Sequence, residues 1–182
     1  MKKIVYTLSL IIILFFSSRA NAQVILHDSA KVSLLTASYW HGAVYALFGH
    51  TAIHVQDDTA GVDAVFNYGF FDPSQPNFIY IFVRGKTDYV LGITTFEEFL
   101  NEYGYKGQQV TEQILNLSTI EKQLLYDALF INSLPENRGY RYNYFYDNCA
   151  TRPRDMIEKY ARSTIQYPAT AKDQSYRDLV HE

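Results

Sequence analysis

One thiol and five imidazoles hold most of the reactive chemistry in this 182-residue sequence. Cys149 is its only cysteine. It stands in Asp147-Asn-Cys-Ala-Thr-Arg-Pro-Arg-Asp155, and asparagine is a preferred N-cap residue, so the segment predicts a helix from Asn148 to about Ala161. A cysteine in that first turn faces free backbone N–H groups and the positive end of the helix dipole. Both favour thiolate over thiol, as do the nearby cations Arg152 and Arg154. The same N–H groups can hold an oxyanion after attack on a carbonyl. Pro153 has no N–H to reach back to residue 149, so the regular helix is expected to start a residue or two later. Position alone fits a buried structural thiol or an intermolecular bridge equally well.

A nucleophilic thiol needs a base. The histidines are His27, His41, His50, His54 and His181, and two of them share Phe48-Gly-His-Thr-Ala-Ile-His-Val55. Gly49 allows a close backbone approach just before a predicted strand. Period-2 geometry puts His50 and His54 on one face, so spacing does not choose between them. A metal site using both histidines with Asp57 or Asp58 is a weak alternative, because the His-x3-His spacing suits a helix rather than a strand. A purely structural histidine is another. If the following turn centres near Thr59, His50 faces the region of Asn67 and Tyr68. Asn67 could then orient the imidazole as the third member of a Cys–His–Asn site, or merely finish the strand.

The elements that must position these groups can be read in outline. Val24–Leu26 and Val32–Ala37 are short apolar runs that fit strands. Residues 51–55 and 63–69 form a hairpin around the turn cluster Asp57-Asp-Thr-Ala-Gly61. Residues 78–83 are apolar and fit a helix or a strand. Residues 89–94 suggest a strand, and Thr95 with Glu98 forms a capping box for a helix ending at Tyr103 before Gly104. Residues 109–117 read as a strand. Ser118 with Glu121 caps a second helix, whose apolar stripe is Ile120, Leu124, Leu125, Ala128, Leu129 and Ile131. Residues 140–147 alternate as a strand would. Hairpins and separated helices together indicate an α+β fold.

Composition bounds the rest. With 48% hydrophobic residues and a net charge of −3 the chain is not intrinsically disordered. One cysteine excludes an intramolecular disulfide and a cysteine-rich metal cluster. Residues 1–22 read as a secretory signal peptide: Lys2 and Lys3, an apolar run from Ile4 to Phe16, then Ala20-Asn-Ala22 as the cleavage signal. That run is short for a bilayer core of ~30 Å. Loss of Lys2, Lys3 and Arg19 leaves 13 basic and 19 acidic residues, a balance that argues against a nucleic-acid partner. The main domain is placed at residues 23–162. Residues 163–182 form a polar tail in which Tyr176, Leu179 and Val180 suggest the start of a further helix.

Several blocks together resemble the Lnb N-terminal periplasmic domain family. They are Phe48-Gly-His-Thr-Ala-Ile-His-Val55, Phe66-Asn-Tyr-Gly69, Phe82-Val-Arg-Gly85, Val110-Thr-Glu-Gln113 and Asn148-Cys-Ala-Thr-Arg-Pro-Arg-Asp155, spanning about Val32 to Tyr160. The resemblance implies a circularly permuted papain-like (NlpC-like) fold, an antiparallel sheet packed on helices, with the histidine first and the cysteine last. It implies that Cys149 is the nucleophile and His50 the base, with no cofactor and no metal. It further implies a periplasmic acyltransferase taking a fatty acyl group from phospholipid to the α-amine of a diacylglyceryl-cysteine lipoprotein at a membrane surface. Related acyltransferases continue into membrane-spanning helices, so attachment through a further C-terminal region is expected if the chain is part of a longer protein. A cell-envelope cysteine hydrolase with the same pair, and a non-catalytic binding module, are the alternatives.

Overall fold

A computed structural model describes residues 23–74, 76–161, 165, 166, 175 and 178. The segment 1–22, read as a signal peptide, and most of the polar tail lie outside the described residues. Six strands form one antiparallel sheet: β1 (Lys31–Ala37), β2 (His50–Asp57), β3 (Val62–Phe70), β4 (Asp88–Thr94), β5 (Val110–Ile114) and β6 (Gly139–Arg141). Their order across the sheet is β5-β1-β2-β3-β4-β6, which puts the histidine strand β2 near the middle. Among the described residues four α-helices accompany it: α1 (Phe78–Val83), α2 (Phe96–Tyr105), α3 (Thr119–Ser133) and α4 (Thr151–Tyr160). The architecture is therefore α+β, as the sequence indicates.

Strict alternation in the central strands gives the sheet two buried faces. Ile53, Val55, Phe66, Tyr68 and Leu91 point to one face and pack with Leu125 and Leu129 of α3. Leu35, Ala52 and Val65 point to the other and pack with Phe99 and Tyr103 of α2. Each such side chain contributes roughly 1.5–3 kcal/mol when fully withdrawn from water. Both capping boxes form as the sequence predicts. Thr95 accepts from the Glu98 N–H and Ser118 from the Glu121 N–H, with each glutamate returning to its cap backbone.

Several expectations need correction. Val24–Leu26 is not a strand; Leu26 is buried and its N–H donates to Gln123 Oε1 at 2.7 Å, so α3 satisfies the segment that a sheet would otherwise pair. Helix α2 passes through Gly104 to Tyr105. Gly107, at φ +69°, ends it, with the Gln108 N–H reaching back to the Tyr103 carbonyl. On α3, Ile120 and Ile131 are exposed, and Leu125 and Leu129 carry the packing. Of the 140–147 region only Tyr140 and Arg141 pair in the sheet, together with Gly139 before them. Beyond it the chain turns, because Asn143 Oδ1 accepts from the N–H groups of Phe145 and Tyr146.

Candidate active site

The hairpin sets the first half of the site. In β2–β3, Ile53 pairs with Phe66 and Asp57 with Val62, so the turn falls where the Asp57–Gly61 cluster predicts it. Continuing that antiparallel register brings His50 level with Gly69, and Asn67 then lies diagonally opposite on the same face. His50 Nε2 is 2.7 Å from Asn67 Oδ1. That oxygen also accepts from the Gly69 N–H at 2.8 Å, which fixes the orientation of the carboxamide. An oxygen facing Nε2 requires a proton there, leaving Nδ1 of a neutral ring as the acceptor available to a thiol. Tyr103 of α2 stacks on the other side of the imidazole, with centroids 5.8 Å apart and planes 12° from parallel. Gly69 has no Cβ to occupy the space that the ring needs: a Cβ there would lie 2.4 Å from His50 Cε1.

The second half arrives from α4. Asn148 Oδ1 accepts from the N–H groups of Ala150 at 2.8 Å and Thr151 at 3.0 Å, which makes a side-chain turn just ahead of the helix; the N-cap position itself is Ala150, not Asn148 as the sequence suggests. The regular helix begins at Thr151, delayed as Pro153 predicts. With proline in place of the usual donor, the Cys149 carbonyl is taken instead by the hydroxyl of Thr51. This bond ties the cysteine turn to β2 one residue beyond His50. Asn148 Nδ2 donates to the carbonyls of Tyr144 at 2.7 Å and Asn143 at 3.3 Å. Arg152 grips Asp147 through two hydrogen bonds of 2.5 and 2.9 Å. Cys149 thus sits on a turn held from both sides.

The structure brings Cys149, His50 and Asn67 to one cleft. Burial pushes the Cys149 thiol up, but the neighbouring His50 charge, the His50 hydrogen bond and the Thr51 N–H outweigh it. The thiol is thereby held below the ordinary thiol range. Burial likewise pulls His50 down, but the facing Cys149, the ring's hydrogen bonds to Cys149 and Asn67, and the Glu102 charge carry it above the ordinary imidazole value. Opposite shifts of this kind move the pair toward the thiolate–imidazolium form. Burial drives the Tyr103 phenol well above its usual range, so the ring beside His50 stays neutral.

His54 has different surroundings. It is buried, 3.0 Å from Asp63 Oδ1 through Nε2 and 3.5 Å from Glu112 Oε1 through Nδ1, and stacked on Phe96 at 4.5 Å. Its partners lie on β3 and β5, so the two histidines serve separate parts of the face. Asp57 is also engaged elsewhere, accepting from the N–H groups of His27, Thr59 and Ala60.

Two cavities meet at the pair, and both are lined by Tyr45, Gly49, His50, Tyr142 and Cys149. One, the more polar of the two, adds Asn67, Glu102, Tyr103, Lys106 and Gln108 beside Phe70 and Phe71. The other is a more apolar hollow walled by Val44, Phe48, Phe82 and Tyr144. The sequence reading passed over Thr51, Tyr103 and Gln108. Only adjacency to His50 could have pointed to Thr51; the other two come to the cleft through the packing of α2.

Searches of curated proteins and of solved structures find no match. Among the described residues no helix is long and apolar enough to cross a membrane. A family model described as the Lnb N-terminal periplasmic domain matches residues 18–182, which include both halves of the site, and the chain therefore belongs to the Lnb N-terminal periplasmic domain family.

Proposed function

We propose that this domain is a periplasmic cysteine acyltransferase. In this reading Cys149 takes a fatty acyl group from phospholipid and passes it to the α-amine of a diacylglyceryl-cysteine lipoprotein. The observation that carries the reading is the Cys149–His50–Asn67 constellation placed between an apolar hollow and a polar cleft. The thiolate of Cys149 attacks the ester carbonyl carbon. The C–S bond forms as the C–O bond breaks, and the His50 imidazolium gives its proton to the leaving alkoxide. The hollow walled by Val44, Phe48 and Phe82 suits the acyl chain of the thioester. Helix α1, which supplies Phe82, exposes Ile79, Tyr80 and Val83 beside it, a surface suited to a bilayer from which a donor lipid is drawn. The histidine strand early in the chain and the cysteine turn late match the order of a circularly permuted papain-like enzyme.

The test uses phospholipid vesicles and a synthetic peptide beginning with S-diacylglyceryl-cysteine. The expected product is the N-acylated peptide, formed with the native protein and absent with Cys149→Ser. Release of free fatty acid without N-acylation would replace the transferase reading by a hydrolase. Absence of both products would reject catalysis on these substrates.

A further inference from the structure

The polar cleft has a chemical bias of its own. Gln108 is only 9% exposed and lines it. Its Nε2 donates to the Ser38 carbonyl and its backbone N–H to the Tyr103 carbonyl, so the carboxamide is held in one orientation. In that orientation Oε1 is a buried acceptor with no hydrogen-bond partner among the described residues. Turning the amide over would not help, since Ser38 offers an oxygen where a donor is needed. Leaving such an oxygen unmatched costs roughly 1–3 kcal/mol; the buried hydroxyls of Ser33, Thr87 and Thr94 are likewise unmatched among the described residues, but of the four only Gln108 lines the cleft. Glu102 shares the cleft and faces the His50 ring electrostatically. Its carboxylate already draws one ammonium, that of Lys106, to 2.9 Å, and the same ammonium lies 5.1 Å from the Tyr103 ring centroid. The wall therefore offers acceptors, the Glu102–Lys106 ion pair and an aromatic face, and the opposite hollow has no Asp, Glu, Lys or Arg among its lining residues.

We infer that the cleft lined by Glu102, Tyr103 and Gln108 is the acyl-acceptor subsite, and that it takes a primary amine through N–H donation to Gln108 Oε1. The inference rests on the thioester reading above. With the acyl chain in the apolar hollow, the thioester carbonyl lies at the boundary of the two cavities, open to attack from the polar side. Glu102 attracts the ammonium form. Once it has lost a proton to solvent, the neutral amine attacks the carbonyl carbon. The C–N bond forms, the C–S bond breaks, and Cys149 departs as thiolate. The surplus amine proton passes to His50, which restores the imidazolium beside the thiolate. Gln108 holds one N–H of the nucleophile and so favours amine over water in the same cleft.

The experiment follows the partition of a preformed acyl-enzyme. The full chain is acylated with p-nitrophenyl hexanoate, and thioester on Cys149 is quantified by intact mass. The acyl-enzyme is then divided between water and S-hexyl-cysteine amide, a soluble primary amine. The aminolysis-to-hydrolysis ratio is taken per mole of thioester formed. Gln108→Leu is expected to lower that ratio about tenfold. Glu102→Gln is expected to raise the amine concentration needed for half-maximal partition, with the larger effect at low ionic strength. Gln108→Met, which keeps the side chain's length, serves if the leucine variant does not fold. Wild-type ratios in all folded variants would overturn the inference while leaving the thioester reading intact. A wild-type protein that forms no thioester would instead overturn that reading, and the acceptor assignment with it.

Discussion

His50 and Asn67 are diagonal neighbours across one hairpin, with Nε2 and Oδ1 2.7 Å apart, and the same oxygen receives the Gly69 N–H. The pairing fixes both the tautomer and the ring plane, as the base role proposed for His50 requires. Asn67→Ala leaves a buried N–H unmatched. It should cost about 1–3 kcal/mol in stability and slow Cys149 alkylation by iodoacetamide near neutral pH. Asn67→Asp keeps an acceptor and adds a charge that favours imidazolium, so it should preserve most reactivity. Paired melting and alkylation measurements check both. An alanine variant that alkylates at the native rate would remove Asn67 from the site.

A methyl group at position 69 tests the same geometry from the other side. The Cβ of Gly69→Ala would lie 2.4 Å from His50 Cε1 and 2.8 Å from Asn67 Oδ1, so the ring must move. Displacement of a catalytic group by about 1 Å commonly costs on the order of a hundredfold in rate. We expect acyl-thioester formation to fall by about that much while the fold survives, since the clash is with side chains at the end of the hairpin. A single-turnover acylation rate and a thermal melt separate the two effects.

The coupled pair sets a pH window. Cys149 is displaced downward, so thiolate persists below the ordinary thiol pKa and is lost only as pH falls through the lowered value. His50 is displaced upward, so imidazolium persists above the usual imidazole value and is lost as pH rises through the raised one. The acylation rate should therefore trace a bell, with its acid limb below that of a free cysteine and its alkaline limb above that of a free histidine. Linkage gives the matching stability signs. The Cys149 contribution is full above the unfolded thiol pKa and vanishes on acidification through the lowered value. The His50 contribution is full below the unfolded imidazole pKa and vanishes on alkalinisation through the raised value. His50→Ala should return the alkylation profile toward that of an ordinary buried thiol. An unshifted profile in that variant would show that the pair is not coupled.

What could be read from residues alone follows the range of the forces involved. The His50–Asn67 meeting is local: a turn cluster and period-2 alternation fix the register over some twenty residues, and the hairpin obeys them. The Asn148 side-chain turn and the delay imposed by Pro153 are local as well. The choice of His50 over His54 is not, because both share a face. What separates them is that the Cys149 turn meets β2 at Thr51, through a hydroxyl–carbonyl bond spanning ninety-eight residues of sequence separation. The polar wall of the cleft is equally hidden. Glu102 and Gln108 look like ordinary surface residues until α2 packs on the sheet.

The same distant meeting makes a final prediction about Arg152, which stands three residues after the thiol. Its guanidinium grips Asp147 in a fork and lies 3.8 Å from the Tyr140 ring centroid, while the Tyr140 hydroxyl donates to the Tyr68 carbonyl. A chain of contacts thus runs from β3 through β6 to the turn that presents Cys149. Lysine supplies the charge without the planar fork or the stacking surface. Arg152→Lys should therefore lie between the native protein and Arg152→Ala, the latter losing about 2 kcal/mol in the partly exposed setting of this pair. If the contacts serve only general stability, Cys149 alkylation should keep its native pH profile in the folded fraction of both variants. If they position the turn, the acid limb should move toward higher pH in the same order as the melting temperatures fall. We expect the second result, because Asp147 and Arg152 bracket Asn148 and Cys149, and releasing Asp147 frees the turn that sets the sulfur against His50.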